Sequence, residues 1–272
     1  MIENRPTTYR TLWISDVHLG TPGCQAELLV DLLKAHSCET LYLVGDIIDG
    51  WKLSAGWYWP QEHTNVVRKI LTKAKRGTSV YYVTGNHDEF LRRFVGLGLN
   101  MGNIHVVDEL VHVTADGRRL WVVHGDAFDV ITRYHRWVAA AGDRLYESAM
   151  SINTRLNALR RRLGLPYWSL SAYAKKHVRS AAQIISTFEE SVARECARRG
   201  FDGVVCGHIH HAQHRQLEGV EYLNCGDWVE SCTALAERAD GTLEILPWLE
   251  RAHTAAPTRA PLSSVKARGD AA

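Results

Sequence analysis

No two cysteines in this chain stand at C-x-x-C spacing. The six present (Cys24, Cys38, Cys196, Cys206, Cys225, Cys232) are scattered, which argues against a zinc knuckle or a dithiol redox motif. They read as reduced, mostly buried small hydrophobes of a cytosolic protein. Long apolar runs are also missing. Nothing reaches the roughly 18 residues of a spanning helix, and no signal-peptide h-region follows Met1. A soluble protein, at most peripheral to a membrane, is expected. Charge of one sign is absent as well: the net charge is +2, so nothing global calls for a nucleic-acid partner. No internal repeat is visible. With 272 residues and 46% hydrophobic content, the chain can bury the core of one large domain or two small ones.

Histidine is plentiful, 14 in all, and "VCGHIHHAQH" at 205–214 holds four of them. Their partners emerge from the order of elements. "YRTLWISDVHL" reads as a strand, "AELLVDLLKAH" as a helix and "ETLYLVGDIID" as a strand. "TNVVRKILTKAKRG" then reads as a helix closed by Gly77, and "TSVYYVTGNHD" as a third strand. Strand and helix alternate as in a layered α/β domain. Strands at about 104–114 and 118–124 follow, joined at Asp116-Gly117. Residues from about 130 to 200 carry helical periodicity instead. One stripe runs through Leu145, Ala149, Ile152, Leu156, Leu159 and Leu163, and another through Val178, Ile185, Phe188 and Val192. Strands resume at "DGVVCGH" and continue through "HRQLEGVEYLNC" and "CTALAERADGTLEIL". One domain over residues 8–250 is expected, with a disordered tail at 251–272.

Five short polar segments each follow an apolar β run: "DVH", "GDIID", "GNHD", "HGD" and "GHIH". Ligands of open α/β sheets bind at the carboxyl ends of strands. Taken as extended, Asp16 and His18 point to one side, and so do His208 and His210. Mixed oxygen and nitrogen donors at that spacing suit a pair of divalent ions about 3.5–4 Å apart, whose repulsion a shared carboxylate relieves. Asp46 is the candidate bridge, and Gly45, Gly85, Gly125 and Gly207 allow tight turns beneath the ions.

The ordered series D-x-H, GD, GNH[DE], H, GH-x-H resembles the calcineurin-like metallophosphoesterases, from about Thr11 to Leu246. The resemblance implies a four-layer αββα sandwich. It also implies two ions, one held by Asp16, His18, Asp46 and His210 and the other by Asp46, Asn86, His124 and His208. His87 would then contact the scissile phosphate or protonate the leaving group, with Asp49 orienting its ring. The donor set contains no thiolate and fits Mn²⁺ well, with Fe²⁺ or Zn²⁺ as alternatives. His211 and His214 read as rim or surface residues.

With its helical insertion at about 130–200, "GDIIDGW" and "NCGDWVESCTALAE", the whole arrangement is similar to the UDP-2,3-diacylglucosamine pyrophosphatase family of lipid A biosynthesis. That implies cleavage of the diphosphate to lipid X and UMP with Mn²⁺, by a cytoplasmic protein peripheral to the inner face of the membrane. Family members usually carry Arg where His87 stands; Arg cannot donate a proton and His can. The alternative is a soluble phosphodiesterase or phosphatase acting on nucleotides or other small esters. The insertion is basic and aromatic. It reads either as a lid facing an anionic membrane and an acylated substrate, through Arg133, Tyr134 and Trp137, or as packing. Trp57 and Trp59 could line the substrate mouth or pack.

Overall fold

The computed structural model describes residues 7–95, 102–128 and 170–250, with the side chains of the last stretch described from residue 183. Short apolar runs buried on both faces build its strands. β1 (Thr7–Ile14) turns Leu12 and Ile14 to one face and Trp13 to the other. Leu41 and Leu43 oppose Tyr42 and Val44 in β2 (His36–Val44), and Val80 and Tyr82 oppose Val83 in β3 (Ser79–Val83). Helix α1 (Ala26–Ala35) lays Leu29, Leu32 and Leu33 on the first of these faces. Helix α2 (Gly50–Ala55) is a short turn after β2, and α3 (Gln61–Lys75) adds Val66, Ile70 and Ala74 to the same face. As predicted, α3 is closed by Gly77, left-handed at φ 102, whose N–H donates to the Ala74 carbonyl.

β4 (Ile104–Val107) joins β3 in parallel, and β10 (Thr233–Glu237) and β11 (Leu243–Pro247) return antiparallel beside β1. The order of the six-stranded sheet is β11-β10-β1-β2-β3-β4. A five-stranded sheet contains β5 (Glu109–Val113), β6 (Arg119–Val123), β7 (Gly203–Cys206), β8 (Gln213–Leu217) and β9 (Val220–Asn224), in the order β5-β6-β7-β9-β8. Between the sheets, Trp13, Tyr42, Val44 and Val83 meet Leu120, Val122, Val205 and Leu223. Helix α4 (Leu170–Arg198) covers the outer face of the second sheet, packing Phe188, Val192, Ala193 and Cys196 on Trp121, Val204 and Tyr222. Helix, sheet, sheet, helix is the expected αββα sandwich.

A buried polar network ties the sheets together. Glu237 of β10 accepts from Arg10 Nη1 at 2.7 Å and from the Thr11 hydroxyl at 2.7 Å, and lies 2.9 Å from Nε2 of His112 on β5. His112 Nδ1 in turn lies 3.0 Å from the Tyr42 hydroxyl.

One expectation needs correction. The single strand at 104–114 is two strands in different sheets, parted at Asp108, whose Oδ1 accepts the Thr84 hydroxyl at 2.5 Å. Apolar alternation runs on through the crossing and hides it. Within the expected insertion at about 130–200, residues 188–196 of α4 pack on the second sheet as a layer of the sandwich. Residues 129–169, with Arg133, Tyr134, Trp137 and the first amphipathic stripe, lie outside the described residues, as does the tail from 251. No helix among the described residues is long and apolar enough to cross a membrane.

Candidate metal centre

The predicted site residues stand just beyond strand ends. Asp16 and His18 follow β1, Asp46 and Asp49 follow β2, and Asn86 and His87 follow β3. His124 follows β6, and His208 and His210 follow β7. The backbone there is not extended. Asp16 (φ 50), His18 (φ 53), Asp46 (φ 54), His208 (φ 72) and His210 (φ 55) are all left-handed. The strands have ended at Ile14 and Cys206, so alternate residues converge through kinks rather than through the pleat, which corrects the sequence argument. Left-handed backbone costs a non-glycine residue about 1–2 kcal/mol, and surrounding bonds hold it in place. The Asp16 N–H donates to the Gly45 carbonyl at 3.1 Å and the His18 N–H to the Asp46 carbonyl at 2.9 Å. Gly45 is left-handed too, at φ 73, and a Cβ there would lie 2.3 Å from the His124 ring. At Gly207 the need is space: a Cβ would meet Asp16 Oδ2 at 2.4 Å.

Among the described residues, three groups could hold an ion: Asp16–His18–His210, Asp46–His124–His208 and, sharing His18 with the first, His18–Asp49–His87. In the first, His210 Nε2 lies 3.2 Å from Asp16 Oδ1 and 3.3 Å from His18 Nε2. In the second, His124 Nε2 lies 3.4 Å from Asp46 Oδ2, and the His124 and His208 rings meet edge to face at 5.1 Å. Each carboxylate has one oxygen anchored by backbone. Asp16 Oδ2 accepts the His208 N–H at 2.9 Å, and Asp46 Oδ1 accepts the His87 N–H at 2.8 Å. His124 Nδ1 is 3.0 Å from the Val44 carbonyl, which assigns a proton to Nδ1 and turns Nε2 toward Asp46.

Burial by itself would raise the Asp16 carboxyl, but the charge of His210 and a hydrogen bond to it prevail and bring it to about 2. For His124, burial opposes the charged form, yet Asp46 and Asp16 raise the ring to about 10. Such a site is short of positive charge. Among the described residues, Asn86 Oδ1 is buried with no hydrogen-bond partner, while buried Asp16 Oδ1 and His124 Nε2 face only each cluster's own groups, the His210 ring at 3.2 Å and Asp46 Oδ2 at 3.4 Å. Each unpartnered polar atom costs about 1–3 kcal/mol. Lone pairs turned inward from carboxylate, amide and imidazole, with no thiolate among them, fit divalent cations.

Beside the first cluster, Asp49 Oδ2 lies 3.0 Å from His87 Nδ1 and 3.3 Å from His18 Nδ1, while its Oδ1 accepts the Lys52 N–H at 2.9 Å. Asp49 therefore sits where it can orient His87, as the sequence suggested, and it reaches His18 as well. Trp59 packs against the core and donates its indole N–H to Thr64 Oγ1 at 3.1 Å, whereas Trp57 is 78% exposed. His211 and His214 are exposed, with His214 Nε2 2.7 Å from Glu221 Oε1.

Sequence reasoning gave no role to Asp88, Asn224 or Trp51. Asp88 accepts the Ile47 N–H at 2.9 Å, the Tyr82 hydroxyl at 2.7 Å and the Gly85 N–H at 2.6 Å, and burial raises its carboxyl. Asn224 donates to the Gly207 carbonyl at 2.8 Å, propping the loop that carries His208. The Trp51 ring centre lies 4.2 Å from that of His87. All three sat inside the quoted runs "GNHD", "NCGDWVESCTALAE" and "GDIIDGW", and for Asp88 its place two residues after Asn86 was the available signal.

A family described as calcineurin-like phosphoesterase matches residues 9–212. The UDP-2,3-diacylglucosamine hydrolase of Edwardsiella ictaluri (strain 93-146) is 27% identical over 205 residues, 74% of this chain and 75% of that protein. The protein of the same name from Neisseria meningitidis serogroup B is 26% identical over 259 residues, 88% of this chain and 98% of that one. Among solved structures, phosphopantetheinyl hydrolase from Mycobacterium tuberculosis is 16% identical with a TM-score of 0.42, covering 94% of this chain and 99% of that one.

Proposed function

This chain belongs to the calcineurin-like phosphoesterase family, and from that premise we propose that it cleaves the diphosphate of UDP-2,3-diacylglucosamine to lipid X and UMP. It works as one domain over residues 8–250, in the cytoplasm at the inner face of the membrane, with Mn²⁺ as the preferred cation. The observation that carries the reaction class is the pair of facing clusters, Asp16–His18–His210 and Asp46–His124–His208, with His87 beside them. Relatives named UDP-2,3-diacylglucosamine hydrolase, matched over 88% of this chain in the Neisseria case, support the substrate.

Asp16, His18, Asp46 and His210 would hold one cation, and Asp46, Asn86, His124 and His208 the other. Cations held there would supply Lewis-acid stabilisation of phosphoryl charge. The chain's own residues orient the rest. His87, whose Nδ1 lies 3.0 Å from Asp49 Oδ2, would present Nε2 to the oxygen that leaves and pass it the proton on Nε2. Asp49 holds both His87 and His18 in register, so the proton donor and a ligand share one positioning carboxylate.

A time course of Mn²⁺-loaded protein with UDP-2,3-diacylglucosamine tests this reading, through separation of the products. Release of UMP together with lipid X supports it. No cleavage, alongside ready hydrolysis of bis-p-nitrophenyl phosphate, would leave a phosphodiesterase or phosphatase acting on nucleotides or small esters. Flotation with anionic vesicles tests the membrane location separately.

A further inference from the structure

Residues 49–51 grip His87 from three directions. Asp49 Oδ2 meets its Nδ1 at 3.0 Å, the Gly50 N–H donates to its carbonyl at 2.9 Å, and the Trp51 ring lies over its imidazole with centres 4.2 Å apart and planes 38° apart. The Trp51 indole N–H donates to Glu89 Oε1 at 3.3 Å. Contacts on two sides thus fix the orientation of the indole, yet Trp51 remains 44% exposed. Single exposed aromatics are ordinary. An exposed one that is held in place against the residue facing the leaving group is different.

We propose that Trp51 is a specificity-determining residue whose open face stacks on the nucleobase of the substrate. The inference rests on the nucleoside-diphosphate reading above and names the part of the substrate that this side chain recognises. Three features favour a base over other groups. The indole N–H is already committed to Glu89, so what Trp51 offers is its π-face, which suits a flat ring. The Glu89 carboxylate beside it repels phosphates, leaving them on the His87 side and a neutral group on the Trp51 side. Finally, the Asp49-Gly50-Trp51 run makes one rigid piece of the phosphate-facing and ring-facing groups, so a ligand that spans both is read as a unit.

The test is calorimetric titration of the Mn²⁺-loaded protein with UMP and with ribose 5-phosphate, which carries a phosphate on the sugar without the base. Stacking predicts that UMP binds about tenfold more tightly. It further predicts that Trp51→Ala removes most of that ratio and that Trp51→Phe, which keeps a ring, preserves most of it. Equal affinities in the parent protein, a ratio unchanged in Trp51→Ala, or no measurable UMP binding at millimolar concentration would each overturn the proposal. Equal weakening of both ligands in Trp51→Ala would also do so, because Trp51 would then only be steadying His87. Failure here is separable from failure of the substrate reading. Cleavage of UDP-2,3-diacylglucosamine without base discrimination keeps that reading and discards the stacking. Discrimination without such cleavage keeps the stacking for another nucleotide ester.

Discussion

Asp46 and Asp88 each hold the other's loop. Asp46 Oδ1 accepts the N–H of His87, the residue before Asp88, at 2.8 Å, and Asp88 Oδ2 accepts the N–H of Ile47, the residue after Asp46, at 2.9 Å. The clasp locks the strand-end loops of β2 and β3 into one piece, and the two carboxylates divide the work. Asp46 keeps its second oxygen for the cluster, whereas both oxygens of Asp88 are spent on protein donors.

Asp88→Ala should therefore act first on stability. It strands the Ile47 and Gly85 N–H groups and the Tyr82 hydroxyl, at a cost on the order of 3 kcal/mol. Urea melts check this: the midpoint should fall with little change in slope. A loss below about 1 kcal/mol would mean that the clasp is redundant.

Asp46→Ala should abolish hydrolysis and lower bound metal from two ions per chain, as read by elemental analysis of the dialysed protein. Retention of two ions would place the bridge elsewhere. In the parent protein, chelation should remove activity, readdition of Mn²⁺ should restore it, and melting should shift upward with Mn²⁺ concentration. Asp46→Ala should lack most of that shift.

His87→Ala should keep both ions and lose about 10²–10⁴-fold in kcat. Asp49→Asn should lose on the order of tenfold with the ions in place, since the amide still reaches His87 but no longer draws its proton. Loss of an ion in His87→Ala would make His87 a ligand rather than an acid.

Acid sensitivity should trace in part to Glu237. Burial pushes its carboxyl up, but hydrogen bonds from His112, Thr11 and the Ala115 N–H prevail and hold it at about 2, below the ordinary 4.5. With the folded value depressed, the unfolded chain binds more protons between those limits. The stabilisation is complete above about pH 4.5 and is lost as pH falls toward about 2. Glu237→Gln should flatten the decline of the urea midpoint over that range. A slope identical to that of the parent protein would assign the acid sensitivity to other carboxylates.

Much of this was legible in the sequence because it rests on period. Leu12/Trp13/Ile14, Leu41/Tyr42/Leu43 and the α4 stripe at Ile185, Phe188 and Val192 announce their faces before any contact is known. That the polar segments share the strand ends was legible from the apolar runs before them, whereas the meeting of Asp16 with His210, and of Asp46 with His124, was implied by the resemblance of the ordered motifs to a known family. Dihedral angles were not legible. Nothing in "DVH" or "GHIH" says that Asp16, His18, His208 and His210 would be left-handed, because the conformation is imposed by bonds to distant backbone such as the Gly45 carbonyl. The crossing at Asp108 was hidden for a related reason: a continuous apolar alternation does not reveal which sheet a strand joins.

The pairing of β1 with β10 brings the two ends of the fold into one sheet, and each of the two facing clusters draws on both halves of the chain. During synthesis from the amino terminus, Asp16, His18 and Asp46 leave the ribosome long before His208 and His210 exist. Neither cluster can close until the chain has been made through β7 and on to His210, so any metal capture there belongs to a late stage of folding. A nascent chain stalled before β7 would hold exposed carboxylates and imidazoles without the geometry to grip an ion.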